Sequence, residues 1–172
     1  MKFSELAADR YSVRKFKATP VETEIINKIL KAGHLAPTAC NIQPQKILVL
    51  NSAEALTKLK DCTRCHFDAP LAMLICYDKN ECWTRKYDGA TSGDIDASIV
   101  TTHMMLAAHD NGVGSTWVMH FNPAKMREAF NVPENFEMTA LLVMGYPAED
   151  SAPIDMHSKF RPEEDLVFYD SF

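Results

Sequence analysis

Short apolar runs punctuate the chain at Lys46–Asn51 (KILVLN), Leu71–Tyr77 (LAMLICY) and Met138–Gly145 (MTALLVMG). Each is bounded by Pro, Asp or Gly and predicts a strand. A further short strand is expected near Ser115–Met119. Between these runs the apolar period changes. Val21, Ile25, Ile26, Ile29 and Leu30 follow helical spacing. Thr19 is placed to cap that helix, Pro20 to open it, Glu22 to complete a capping box and Gly33 to end it. A shorter helix is expected after Ser52 with Leu56 and Leu59 inward, and Asn122-Pro123 reads as the cap and first residue of another that ends near Asn131 and Pro133.

The segment Asp94–Asn111 differs from the rest. It predicts one helix of about five turns. Ile95, Ala97, Ile99, Val100, Met104, Met105, Leu106, Ala107 and Ala108 cover nearly its whole circumference. A helix apolar nearly all round is expected to be buried on all sides. In so short a chain this favours a second subunit on one side, against the alternative of a helix wholly inside a monomer. Several helices and three to five strands without regular βαβ alternation predict an α+β fold. No GxGxxG is present, so a Rossmann site for NAD is not supported.

Composition narrows the function. The 172 residues fit one domain, and 47% hydrophobic with 24% charged residues allow a core that needs neither disulfides nor metal. The net charge of −5 argues against nucleic acid as a partner, so any anion site must be a local cluster. The N-terminus lacks an export pattern and no apolar stretch has membrane-spanning length, so a cytoplasmic protein without membrane attachment is expected. Five cysteines then read as free thiols.

Five segments offer chemistry. In RYSVRKF, Arg10 and Arg14 are four apart and share a face whether the segment is helical or extended; Ser12 joins them if it is extended. Two guanidiniums and a hydroxyl suit a phosphate. An isolated pattern of this kind is more often a solvated basic stretch. A second basic point, Lys159 and Arg161, lies near the C-terminus, and pairing it with the first requires the fold to bring the ends together. The loop APTACNIQP (36–44) packs prolines around Thr38, Asn41 and Gln43, whose groups could read the edge of a heterocycle; an ordinary polar connector is the alternative. The stretch NGVGSTW (111–117) permits close backbone approach, with Trp117 available to line a flat ligand or to pack in the core. Cys62, Cys65 and His66 match CxxCH, the haem-attachment pattern. The cytoplasmic reading and the strand that follows weigh against haem, and a zinc site lacks a second cysteine pair. The plain reading is a helix end with two thiols. None of the six histidines sits in a motif that selects it as acid or base.

RYSVRKF (10–16), APTACNIQP (36–44), DAPLAMLICYD (68–78), DIDASIVTTHMMLAAHDNGVGSTWV (94–118), ALLVMGYP (140–147) and KFRPEEDLVFYD (159–170) occur in this order. Together they resemble the nitroreductase-like family of FMN-dependent oxidoreductases. The resemblance spans essentially the whole chain, and order and spacing make it specific. It implies a nitroreductase-like fold, with a central mixed or antiparallel sheet flanked by helices, in an intertwined homodimer with two FMN sites at the interface. Arg10 and Arg161 would hold the phosphate, with Lys159 close and Tyr11 in the same stretch as Arg10. Ser12 and Arg14 would contact the ribityl chain and the pyrimidine side. Pro37, Thr38, Ala39 and Asn41 would come from the partner subunit, with Gln43 nearby. Trp117 and Val118 would line the ring. The helix over 94–111 would form the dimer core, and LVFYDSF (166–172) would reach over the other subunit. NADH or NADPH would be the electron donor, and a nitroaromatic or quinone the acceptor; a flavin-binding module without such turnover is the alternative. Two departures concern the substrate pocket. The chain has no room for the insertion that covers the site in larger relatives, and Gln45 stands where many have an aromatic residue.

Overall fold

A computed structural model describes residues 2–172. Its helices are α1 (Phe3–Asp9), α2 (Thr23–His34), α3 (Ala53–Cys62), α4 (Gly93–Asp110) and α5 (Pro123–Phe130). Its strands are β1 (Gln45–Leu50), β2 (Leu71–Asp78), β3 (Gly114–Val118) and β4 (Phe136–Gly145), in the order β1-β2-β4-β3 with every neighbouring pair antiparallel. None of the described helices is long and apolar enough to cross a membrane.

The strand runs were legible because the two central strands are covered on both faces. Every residue of β2 is buried. Leu71, Met73, Ile75 and Tyr77 point into one core with Ile26 and Ile29 of α2 and Ala97, Val100 and Met104 of α4. Ala72, Leu74 and Cys76 point into a second core with Leu59 of α3 and Met126 of α5. A strand sandwiched in this way reads as a continuous apolar run instead of an alternating one. Each large buried side chain contributes about 1.5–3 kcal/mol.

The cap expected at Asn122 forms, and Ser52 caps the helix expected after it. The Ser52 hydroxyl accepts from Ala55 N at 3.2 Å, and the Asn122 side chain accepts from Lys125 N at 3.1 Å. The start of α2 differs from expectation. Glu22, with φ −64° and ψ 141°, is the N-cap, and Thr19 and Pro20 lie outside the helix. Two tertiary contacts override the local signal. Val21 is drawn into the first core, and the Tyr146 hydroxyl donates to the Glu22 carboxylate, holding that residue extended. Helix α1 was not foreseen. It buries no residue, so no apolar period marks it.

Helix α4 is not enclosed on all sides by its own chain. Within one chain it buries a single stripe: Gly93, Asp96, Ala97, Val100, Thr101, Met104 and Ala108. Its outer side is only partly covered, and Ile95 is 62% exposed. Gly93 is required where α4 crosses β2, because a Cβ there would lie 2.1 Å from the Tyr77 ring. Beyond β3 and β4 the chain segment 12–17 forms a strap across the end of the sheet. Val13 N donates to Ser115 O at 3.0 Å and Lys17 N to Tyr146 O at 2.8 Å, and the Thr116 hydroxyl donates to Val13 O. This strap carries the first candidate residues.

Candidate flavin site

The strap is extended, so side chains alternate. Val13 points inward and is 2% exposed. Ser12 and Arg14 flank Val13 on the strap, and Arg10 precedes it in an extended conformation with φ −63° and ψ 126°. Arg10, Tyr11, Ser12 and Arg14 line one pocket with Ile154, Met156 and His157. The Tyr11 hydroxyl reaches Ser151 Oγ at 3.3 Å, and its ring meets His157 edge-on with centroids 6.3 Å apart. Arg14 Nη1 donates to Ser12 O at 3.2 Å, which turns the guanidinium back over the strap. Among the described residues neither Arg10 nor Arg14 has a carboxylate partner, so their remaining N–H donors are free for an anion. Ser115, which bridges to Ser12, has a buried hydroxyl without a hydrogen-bond partner. Lys159 and Arg161 lie on the exposed C-terminal segment, outside the wall of this pocket, and Arg161 Nη2 is 3.8 Å from Asp165.

The loop from Pro37 to Gln43 is built differently. Cys40, Asn41 and Gln43 have φ of 51°, 54° and 57°. Three side-chain-bearing residues in the left-handed region cost about 1–2 kcal/mol each, and such strain collects at ligand sites. Backbone bonds from Asn41 N to Thr38 O at 3.0 Å and from Ile42 N to Ala39 O at 3.1 Å close the turn, and bonds involving side chains support it. Gln43 N donates to the Thr38 hydroxyl at 3.0 Å, Gln43 Nε2 to Asn41 Oδ1 at 3.2 Å, and Ala39 N to Asp96 Oδ1 at 2.9 Å. Asp96 was missed in the sequence reading. Its signal was available: a carboxylate on the stripe that also carries Ala97 and Val100 must be buried and therefore paired.

The two halves do not meet within one chain. The loop is tied to the N-terminal end of α4 through Asp96. The strap begins at the other end, where His109 Nε2 lies 3.0 Å from Asp9 Oδ2. Asp96 and His109 are separated along α4 by roughly 20 Å at about 1.5 Å per residue. Trp117 and Val118 lie on opposite faces of β3. Trp117 pairs with Leu142 and is partly buried, whereas Val118, 3% exposed, packs in the second core. The Val118 side chain is therefore part of the core.

The CxxCH segment ends α3. Cys62 is 4% exposed and its thiol donates to Lys58 O at 3.4 Å. His66 Nδ1 accepts from Asp68 N at 2.9 Å. A buried first cysteine is a poor fit to covalent haem attachment. Among the described residues no group of three or more His, Cys, Asp or Glu is placed to hold a metal. Burial raises the Cys62 thiol and pushes that of Cys76 up to about 11. Because the folded thiol ionises later than the unfolded one, stability should fall as pH climbs from about 8.5 through about 11. The urea midpoint measured across that range should drop. In alkylation of the native protein, exposed Cys40 should react while Cys62 and Cys76 resist; uniform reactivity would contradict their burial.

Comparisons with known proteins place this architecture. The Nitroreductase family model matches residues 7–74 and 66–146. The crystal structure of a nitroreductase family protein from Clostridium difficile 630 superposes with a TM-score of 0.94 at 42% identity, covering 100% of both chains. An FMN-dependent nitroreductase from Clostridium difficile R20291 superposes with a TM-score of 0.79 at 27% identity, over 99% of this chain and 100% of that one. A Methanothermobacter thermautotrophicus protein, provisionally named NADH dehydrogenase/NAD(P)H nitroreductase, is 29% identical over 164 residues, 91% of this chain and 83% of its own. The α+β architecture, the antiparallel sheet and the family model together establish that this chain belongs to the nitroreductase family of oxidoreductases.

Proposed function

We propose that this chain binds FMN in a homodimer and passes electrons from NADH or NADPH to a small acceptor such as a nitroaromatic or a quinone. The observation that carries this reading is the split of the candidate residues between the two ends of α4. A two-fold pairing of α4 helices, antiparallel along their half-exposed stripes, would bring the Pro37–Gln43 loop of one subunit to the Arg10–Arg14 strap of the other. The exposed apolar C-terminal segment supports the same assembly: Leu166 is 59% and Phe168 52% exposed, and such surface is ordinarily covered.

The residues present fit FMN. Arg10, with Arg161 and Lys159 from the C-terminal segment, would hold a phosphate. Ser12 and Arg14 would address the ribityl chain and the pyrimidine edge, where the Arg14 charge offsets negative charge gained on reduction. The buried Ser115 hydroxyl, on the residue that bridges to Ser12, has unused hydrogen-bonding capacity. The second subunit's loop, from Pro37 through Thr38, Ala39 and Asn41 to Gln43, would close the ring edge, with Trp117 near it. When bound, the flavin supplies the hydride acceptance and onward electron transfer; the protein supplies binding, orientation and charge. No side chain needs to act as an obligatory acid or base.

The absorption spectrum of the purified protein, before and after incubation with FMN, tests this. Flavin bands bleached by NADH or NADPH and restored by an acceptor are expected. Bands that neither nucleotide bleaches would reduce the protein to a flavin carrier, and a Soret band without flavin would overturn the reading.

A further inference from the structure

With Asp78, Asp96 is one of the two buried carboxylates among the described residues, and it is the less exposed of them. It is 2% exposed on the first turns of α4 and has no cationic partner. Both its oxygens are used: Oδ1 accepts from Ala39 N at 2.9 Å, and Oδ2 from the Ser92 hydroxyl at 2.7 Å. Burying a carboxylate is costly, and two hydrogen bonds from neutral donors do not make it a favourable packing choice. What the arrangement achieves is connection. Ser92 opens α4 and Ala39 opens the strained turn, so Asp96 fastens the turn to the helix. The remaining bonds among residues 38–43, from Gln43 to Thr38 and Asn41, from Asn41 N to Thr38 O and from Ile42 N to Ala39 O, are internal to the turn.

We infer that Asp96 is a positioning residue for the flavin of the opposite subunit. This rests on the two-subunit FMN site proposed above. Asp96 would touch no ligand. It would hold the Ala39–Gln43 backbone at the height on α4 from which it reaches across the interface. Because α4 is also the proposed interface helix, the same contact would make flavin occupancy and subunit pairing mutually supportive.

FMN titration of the apoprotein, followed by quenching of flavin fluorescence, is the test, with amide exchange at Ala39 as a second readout and sedimentation as the check on assembly. Asp96→Ala leaves the Ala39 N–H without an acceptor. The folded dimer should bind FMN roughly tenfold or more weakly, and Ala39 should exchange faster. Asp96→Asn should restore most of the affinity, since its carboxamide oxygen can accept from Ala39 N–H and its NH₂ can donate to Ser92. Folded Asp96→Ala dimer with unaltered FMN affinity would overturn the inference, as would an Asp96→Asn variant no better than Asp96→Ala. Should Asp96→Ala yield no folded protein, Ser92→Ala decides: weaker FMN binding sustains the inference and unchanged binding overturns it. Failure of the unaltered protein to take up FMN would overturn the flavin reading and this inference together, whereas the outcomes above bear on Asp96 alone.

Discussion

Replacing Arg10 and Arg161 together with alanine is expected to weaken FMN binding by at least about a hundredfold while leaving the fold intact. Hydrogen bonds to charged groups contribute about 1.5–3 kcal/mol each, and every 1.4 kcal/mol or so is tenfold in affinity. The fold has little stake in either side chain. Arg10 has no carboxylate partner among the described residues. Arg161 is 74% exposed and faces Asp165 at 3.8 Å, a surface pair of small worth. A large loss of affinity with an unchanged thermal midpoint therefore reports on the ligand. Fluorescence titration with FMN checks it, and unchanged affinity in the folded double variant would mean the phosphate is held elsewhere.

The substitution Ile95→Asp is expected to separate the subunits and to abolish FMN binding with them. In one chain Ile95 is 62% exposed, in the first turn of α4 between Asp94 and Asp96. An acidic residue near a helix N-terminus is mildly stabilising, so the isolated chain should tolerate the change. At a subunit interface the same carboxylate would be buried without a partner, at a cost of several kcal/mol. Sedimentation should show single chains with native circular dichroism and no tight flavin. A variant that stays dimeric with full FMN affinity would show that this side of α4 is not the interface.

What the sequence made legible follows from where each signal resides. The strands stood out because β2 and β4 are buried on both faces, which leaves unbroken apolar runs. Ser52 and Asn122 were readable because their caps are local. The start of α2 was misplaced because Tyr146 and the first core, both distant in sequence, hold residues 21 and 22 extended. Helix α1 left no trace because it buries nothing. Trp117 and Val118 were read together, but neighbours on a strand point to opposite faces, and the Val118 side chain packs in the second core. The candidate site was legible as residue types, with Arg10, Ser12 and Arg14 lining one pocket. Its division was not. Only the length of α4 shows how far apart the loop and the strap lie within one chain, and only the folded position of Asp96 shows its bond to the loop.

Mixed dimers test the shared site most directly. One subunit would carry Arg10→Ala and the other Ala39→Arg, with each homodimer prepared as a control. In a site built from both subunits, the mixed dimer pairs the two lesions in one site and leaves the other site whole. Each homodimer should bind FMN weakly, and the mixed dimer should bind one FMN per dimer with unaltered affinity. A mixed dimer that recovers no tight FMN binding would place strap and loop in the same subunit's site and contradict the shared arrangement.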